Sequence, residues 1–177
     1  MPNDTGNISQ NQSSGSQSLA DLLYSEKLLT KEQYDDIKVK SASKGLSEES
    51  VIESLGVVPP DKFAEAKAKI LNIPFVSLDT VSFSPQALGY VPRAVAERFS
   101  LIPFAYDEKT QTISVAMSNP VDLEAVSFVR EKTGQNIKTF AASVPEVERA
   151  VNQQYRQEIV GEVGAAIKET EEGQQGR

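Results

Sequence analysis

The sequence predicts an α+β protein in which a helical repeat of two helix–turn–helix units precedes a small sheet of about four strands covered by helices. Two features of the chain predict this class. Residues 18–71 carry apolar side chains at the three- and four-residue spacing of amphipathic helices, whereas residues 72–158 alternate short apolar runs with helical stretches. The change of period predicts two subdomains with these boundaries.

Start signals place four helices in the first subdomain. An apolar stripe at residues 19–23 predicts the first helix. Thr30 and Gln33 have capping-box spacing and predict the start of the second. Ser47 is a suitable N-cap for the third helix, and the Pro-Pro-Asp run at residues 59–61 opens the fourth.

These four helices are interpreted as a repeat, because the apolar positions of the first pair recur 29 residues later. One helix pair alone could hardly bury its apolar face, so the two pairs are expected to pack on each other. Chance similarity between two amphipathic helix pairs is the alternative. The matched positions are Leu22 with Val51, Leu23 with Ile52, Lys27 with Gly56, Leu28 with Val57, Leu29 with Val58 and Tyr34 with Phe63.

The second subdomain begins with the run "IPFVSL", which predicts a first strand. Ser84 and Pro85 then predict the N-cap and the first residue of a helix, although Gly89 and Pro92 interrupt its pattern. Two apolar runs, "LIPFAY" and "TISVAM", are joined by the short polar loop "DEKTQ". This arrangement predicts an antiparallel hairpin.

A further helix is predicted over residues 122–133, ended by Gly134, and "NIKTFAA" is the last predicted strand. Ser143 and Glu146 have capping-box spacing, which predicts the start of a final helix. The side chains predicted to face inward from these helices are Leu88, Val95, Ala96, Leu123, Val126, Val129, Val144, Val147, Val151 and Tyr155.

The stretch "SVAMSNPVDLEAV" changes from strand-like to helix-like at residues 118–120. Asn119 adopts turn conformations readily, Pro120 ends a strand, and Asp122 caps the next helix. A strand that leads into a helix N-terminus can also bind phosphate. Here Asp122 places negative charge at that point and no Gly-rich loop is present, so a turn is predicted, with an anion site as the alternative.

Composition excludes several classes of function. The formal net charge of the chain is -7. Proteins bind nucleic acids largely through basic residues that release counterions from the phosphates, so no nucleic-acid partner is expected for this acidic chain. The chain has no Cys and no His, so Cys and His nucleophiles and almost every zinc or haem site are excluded. No apolar run is long enough to cross a bilayer, so no direct membrane insertion is expected.

The two ends of the chain differ in composition from its centre. Residues 1–17 consist mainly of Asn, Ser, Gln and Gly and are predicted to be disordered, because they offer almost nothing to bury. Residues 159–177 are predicted to form a linker or flexible tail. A linker to a further domain is favoured over the charged tail of a complete short protein.

No constellation of catalytic residues stands out. No Gly is followed by Lys, so the chain has no nucleotide-binding P-loop. The "SASK" run at residues 41–44 is interpreted as a solvated helix end, and the adjacent carboxylates, such as Asp35 and Asp36, point apart on a helix. Arg93 and Arg98 are interpreted as surface residues. No catalytic residue, metal or cofactor is therefore predicted.

Four stretches in a fixed order carry a resemblance: "ILNIPFVSL", "VPRAVAERFSLIPF", "VAMSNPVDLEAV" and "AVNQQY". With the helical repeat before them, they resemble the N-terminal domain of the assembly ATPases of type IV pili and type II secretion, the domain type named after the MshE pilus ATPase. The resemblance implies a non-catalytic adaptor or regulatory domain, cytoplasmic and peripheral to the inner membrane. Its expected partners are inner-membrane platform or cytoplasmic-ring proteins, with an ATPase core in cis in a full-length protein.

The resemblance also implies an alternative, a cyclic di-GMP sensor, because some members of the family bind this ligand through two tandem motifs. Of the motif positions, Leu19, Leu23, Ile52 and Gly56 match, and these are the candidate ligand-binding residues if the alternative holds. The two motif Arg positions are held here by Ser18 and Ser47, and Glu48 and Glu49 add negative charge. Arg pairs with phosphate, so we predict no tight binding of cyclic di-GMP.

Overall fold

The structure, a computed structural model, describes residues 17–156 and confirms the predicted α+β class. The predicted disordered start and the predicted C-terminal tail lie outside these residues, except for residue 17. Within residues 17–156, no helix combines the length and the apolar character that crossing a membrane requires. The elements of this region are α1 Leu19–Ser25, α2 Lys31–Lys44, α3 Glu48–Leu55, α4 Pro60–Leu71, α5 Pro85–Tyr90, α6 Arg93–Arg98, β1 Leu101–Asp107, β2 Thr112–Met117, α7 Leu123–Thr133, β3 Asn136–Ala141 and α8 Val144–Gln154.

The first four helices form the predicted repeat. Ser18 and Ser47, which are 29 positions apart, are the N-caps of α1 and α3, and each side chain accepts a hydrogen bond from the backbone N–H of the third helical residue. Lys27 and Gly56 have the same spacing, and both adopt a left-handed backbone conformation with φ of 60°. Equivalent positions therefore cap the start of the first helix in both copies and adopt the same left-handed conformation at its end, which is more than chance amphipathicity explains.

The two helix pairs share one apolar core. Leu23 of α1 and Ile52 of α3, which are equivalent in the repeat, are almost completely buried. Full burial of such a side chain stabilises the fold by about 1.5–3 kcal/mol, so the repeat is held together chiefly by contacts between its two copies. The other buried members of this core are Ala20, Leu29, Ile37, Val51 and Ala66.

The sheet has the order β1-β2-β3. β1 and β2 form the predicted antiparallel hairpin, with a bulge between Pro103 and Ala105. β3 pairs with β2 in parallel, from Thr112 opposite Asn136 to Met117 opposite Ala141, and α7 provides the crossover that a parallel pair needs. One face of the sheet packs against α8 and the other against α7.

The prediction of about four strands is too high by one. The "IPFVSL" segment makes only a single parallel bridge, between Phe75 and Ala141. Pro74 has no N–H to donate to a ladder, although its carbonyl accepts from Ala141 N at 2.8 Å. The segment then turns, because Thr80 N donates to Ser77 O, and so it leaves the edge of β3 after one bridge.

Two further predictions in the α+β part are wrong. The helix predicted to follow Ser84 is two short helices, α5 and α6, because Pro92 cannot donate the hydrogen bond that would continue the first one. Leu123 was predicted to face inward, but its side chain is 78% exposed at the first position of α7. Tyr155 at the end of α8 is buried as predicted, and its hydroxyl donates to Val91 O at 2.6 Å.

Candidate functional site

A polar cluster joins α1, α2 and α3 at the positions that correspond to the cyclic di-GMP motifs. Lys38 Nζ lies 2.7 Å from Ser18 Oγ and 2.7 Å from Glu48 Oε1. Asp21 Oδ1 lies 3.1 Å from the same nitrogen. The second oxygen of Glu48 accepts from Ala20 N at 3.0 Å, an N–H that has no partner within its own helix because it lies in the first turn of α1.

Hydrogen bonding keeps the acidic members of this cluster ionised. The Tyr34 hydroxyl donates to Asp21 Oδ1 at 2.8 Å and, with further donors on Ser18 and Lys38, lowers the pKa of Asp21 to about 2. Burial raises the pKa of Glu48, but hydrogen bonds from Lys38 and a backbone N–H outweigh it, so the net shift is downward. Burial likewise lowers the pKa of Lys38, and its carboxylate partners reverse that shift. The cluster therefore holds the Lys38 cation between two anions, Asp21 and Glu48.

Two of the four candidate ligand-binding residues, Ile52 and Gly56, line one groove, whereas Leu19 and Leu23 do not. Leu23 and Ile52 lie inside the core of the repeat, and Leu19 packs against that core at its edge. Gly56 is the left-handed C-cap of α3, where a side chain would meet nothing within 4 Å. Helix packing thus involves Leu19, Leu23 and Ile52, and helix capping involves Gly56. Glu49, at a motif position, forms a salt bridge with Lys67 of α4.

A groove of about 770 Å³ lies between the repeat and the sheet part. One wall comes from α3 and α4, with Phe63 and Leu71 among its side chains. The opposite wall comes from the turn at residues 118–121 and from the start of α8. Val121 and Val144, on that second wall, are each 49% exposed although both are branched apolar side chains. The inward orientation predicted for Val144 is therefore wrong, since it faces the groove.

The Ser-Asn-Pro break lies on this groove, and the turn prediction is confirmed. Asp122 N donates to Asn119 O at 3.2 Å, which closes the turn, and Pro120 is buried beneath it. Asp122 Oδ1 accepts from Ala125 N at 3.0 Å and so caps α7 as predicted. The same turn that ends β2 also presents Val121 to the groove.

The predicted capping box at α8 is wrong, because Ser143 has another partner. Its hydroxyl lies 2.7 Å from Asp61 Oδ1 at the start of α4, and 3.0 Å from Glu146 Oε2. Glu146 is buried and accepts from Ser77 Oγ at 2.8 Å through its other oxygen. A chain of hydrogen bonds thus connects the repeat to α8 at the end of the groove. Sequence spacing did not indicate the contact between Asp61 and Ser143, since these two residues are 82 positions apart.

The remaining candidate groups are engaged separately. Arg93 Nε donates to Glu97 at 2.7 Å, whereas the Arg98 guanidinium lies 4.8 Å from the centre of the Phe99 ring. Ser41 Oγ donates to the backbone oxygen of Leu46 at 2.6 Å, at the end of α2. Across the described part of the chain, no group of three or more acidic side chains is arranged to hold a metal ion.

Comparison with known proteins gives one family match and two curated relatives. The MshEN domain family matches residues 71–161. The type IV pilus assembly ATPase PilB of Myxococcus xanthus is 26% identical over 160 residues, covering 87% of this chain and 28% of that protein. PilB of Thermus thermophilus is 27% identical over 126 residues, covering 71% of this chain and 14% of that protein. The chain thus spans less than a third of either relative.

Two of the solved structures that match illustrate the shared fold. The structure of MshE with cdg has a TM-score of 0.60 at 20% identity, covering 77% of this chain and 98% of that one. The N-terminal domain of XpsE has a TM-score of 0.55 at 18% identity, covering 76% of this chain and 91% of that one. At these identities the likeness establishes the architecture.

Proposed function

The chain belongs to the MshEN domain family, and from this premise we propose that it is a non-catalytic adaptor and regulatory domain of a type IV pilus or type II secretion assembly ATPase. It docks the motor to inner-membrane platform or cytoplasmic-ring proteins and lies in the cytoplasm, peripheral to the inner membrane through those partners. We also propose that residues 18–71 and 72–158 are its two subdomains.

One observation of the structure carries the docking role. Exposed branched side chains gather where the two parts of the chain meet, with Leu71, Val121 and Val144 on the walls of one groove. Apolar side chains that line one groove and remain exposed support a role of that groove in binding another protein. Scattered single side chains, such as Val39 on α2, carry no such meaning.

Co-purification tests the docking role. The full chain, carrying an affinity tag, is mixed with the purified cytoplasmic parts of the inner-membrane platform proteins of a type IV pilus and of a type II secretion system. We expect one of these components to be retained with the chain and not with the tag alone. Retention of none of them would contradict the proposal.

Catalysis is assigned to the parent motor and not to this chain. The sequence has no Gly-Lys pair and hence no P-loop to hold a nucleotide triphosphate. The purified chain is therefore expected to release no phosphate from ATP above a buffer control. Turnover that follows the concentration of the chain would contradict a purely adaptor role.

The alternative is a cyclic di-GMP sensor of the same motor family. Ser18 and Ser47 stand at the two motif Arg positions, and Glu48 is engaged with Lys38 in the polar cluster described above. A ligand with two phosphates gains no Arg contacts there and meets carboxylates instead. We expect calorimetric titration of the full chain with cyclic di-GMP to give no binding heat at micromolar concentrations. Micromolar or tighter binding would make the sensor the leading function.

A further inference from the structure

The groove between the repeat and the sheet part is lined by apolar side chains that nothing in the described chain covers. Of the large apolar side chains exposed among residues 17–156, Leu71, Val121 and Val144 lie on its walls, and Ile70 and Leu123 are their sequence neighbours. Tyr24, Val39 and Leu46 lie elsewhere, on or beside α1 and α2. The groove therefore carries three of the eight large apolar side chains that are exposed among residues 17–156.

Acidic groups dominate the rim of this groove. Glu49 and Glu53 line its α3 wall, and Lys67, the basic residue facing them, is already paired with Glu49. Glu53 has no ion-pair partner among residues 17–156. Asp61 adds a carboxylate at the end where its side chain contacts Ser143. An occupant with apolar anchors and positive charge on its flanks matches this rim.

Charge also argues against two occupants from the chain itself. Residues 157–177 contain five Glu against Lys168 and Arg177, so this segment would bring negative charge to a negative rim. A second copy carries a formal charge of -7 and the same acidic rim. Both occupants meet like-charge repulsion that a basic partner does not.

We propose that this groove binds a basic amphipathic segment of an inner-membrane platform protein, and the inference rests on the docking function proposed above. Cytoplasmic segments next to membrane-spanning helices carry an excess of Lys and Arg, so they supply the required charge. An amphipathic helix laid into an apolar groove is a recurrent way of recognising such a segment. The apolar face contacts Leu71, Val121 and Val144, and the basic face lies over Glu49 and Glu53.

The direct test measures the binding of a model peptide by fluorescence anisotropy. The probe is a labelled peptide of about 18 residues, roughly 27 Å long as a helix, with Leu on one face and Lys on the other. The full chain is expected to bind this peptide and to bind a version with Glu in place of Lys at least about tenfold more weakly. Equal affinity for the two peptides would overturn the proposal.

Three variants of the full chain locate the binding surface. Val121→Asp and Val144→Asp place a carboxylate among the apolar anchors, and each is expected to weaken binding of the Leu-Lys peptide about tenfold or more. Val39→Asp is the matched control, since it adds the same charge at a side chain that is 64% exposed and is not among the groove-lining residues. If attraction to negative charge alone held the peptide, all three variants would bind it at least as well as the original chain, which would overturn the proposal.

Folding is checked separately for each variant. Val121 and Val144 are half exposed, so their replacement leaves the core intact, and circular dichroism and the melting temperature should match those of Val39→Asp. Should either variant melt early, Glu53→Lys supplies a second measurement at an exposed position on the groove. That substitution is expected to weaken binding of the Leu-Lys peptide several-fold, and an unchanged affinity would contradict a basic occupant of the groove.

Other occupants give distinct results, each of which overturns the proposal. If a second copy of the chain occupies the groove, sedimentation should show a dimer for the original chain and a monomer for Val121→Asp. If the chain's own C-terminal segment occupies the groove, changing both Ile159 and Val163 to Asp should displace that segment, and the Leu-Lys peptide should then bind more tightly.

The same variants separate this inference from the function on which it rests. If Val121→Asp no longer retains the platform protein and Val39→Asp still does, the result supports both the groove assignment and the docking function. Retention by Val121→Asp at the original level would overturn the groove assignment and leave the docking function standing. Absence of retention by the original chain would remove the docking function, whatever the peptide does.

Discussion

Replacing Lys38 by Met tests whether the polar cluster holds the repeat together. Lys38 Nζ contacts Ser18, Asp21 and Glu48 on two neighbouring helices, and Met keeps most of the apolar stem while removing the charge. Hydrogen bonds to charged groups contribute about 1.5–3 kcal/mol, whereas exposed ion pairs contribute about 0.2–1 kcal/mol. The Lys38 side chain is 34% exposed, so solvent screening places the expected loss where the two ranges approach each other, at about 1–2 kcal/mol.

The assay is urea unfolding followed by circular dichroism at several pH values. At pH 7 the variant should unfold at lower urea, and its melting temperature should fall by roughly 3–7 °C. The pKa of Asp21 is lowered to about 2 and that of Glu48 is lowered too, so their contribution is full above the ordinary carboxyl pKa values and is lost as the pH falls through the lowered ones. The difference between the two proteins should therefore shrink from about pH 5 towards pH 2.

At high pH, the stability difference between the original chain and Lys38→Met depends on the charge of Lys38 itself. The pKa of Lys38 is raised in the fold, so its contribution is full below its ordinary value and is lost as the pH rises through the raised one. Lys31→Met is the matched control on the same helix, because Lys31 pairs with Asp35 at an exposed position and should show no measurable change. The reasoning would be refuted by an equal loss in the control, or by a difference that stays constant from pH 7 to pH 2.

Four further substitutions follow from the fold, each measured by urea unfolding. Gly56→Ala should lower the free energy of unfolding by about 1 kcal/mol, because Ala is strained at the left-handed φ of this residue. Lys27→Gly, at the equivalent position of the first copy, should raise the free energy of unfolding by roughly 0.5–1 kcal/mol. Changes of the opposite sign would contradict the repeat. Asp122→Ala should cost about 1 kcal/mol by removing the N-cap of α7, and a neutral result would contradict that cap. Leu23→Ala should cost about 2–5 kcal/mol, and a loss below about 1 kcal/mol would contradict its place in the core.

Local chemistry made much of the fold predictable. The capping residues Thr30, Ser47, Ser84 and Asp122 all begin helices as expected, because a short polar side chain before an apolar pattern satisfies the free N–H groups of a helix start. The repeat was also predictable, since its apolar positions recur at a fixed spacing. Its structural equivalence extends to Lys27, a left-handed position that the sequence did not indicate because Gly is the usual residue there.

The errors arose where long-range contacts override a local pattern. Ser143 and Glu146 have the spacing of a capping box, yet the Ser143 hydroxyl turns to Asp61, which lies far away in the sequence. Leu123 and Val144 fit the apolar pattern of their helices but lie at first positions that project beyond the core. The groove itself was not predictable, because it is formed by segments that only the packing of the repeat against the sheet part brings together.

The account depends on this chain acting by holding a neighbouring protein, and surface plasmon resonance measures that most directly. The full chain is immobilised, and the purified cytoplasmic part of an inner-membrane platform protein is passed over it at increasing concentration. We expect saturable binding that weakens as salt is raised, because the groove rim is acidic. No saturable binding to any platform component, in a preparation whose melting curve shows a folded chain, would contradict the account.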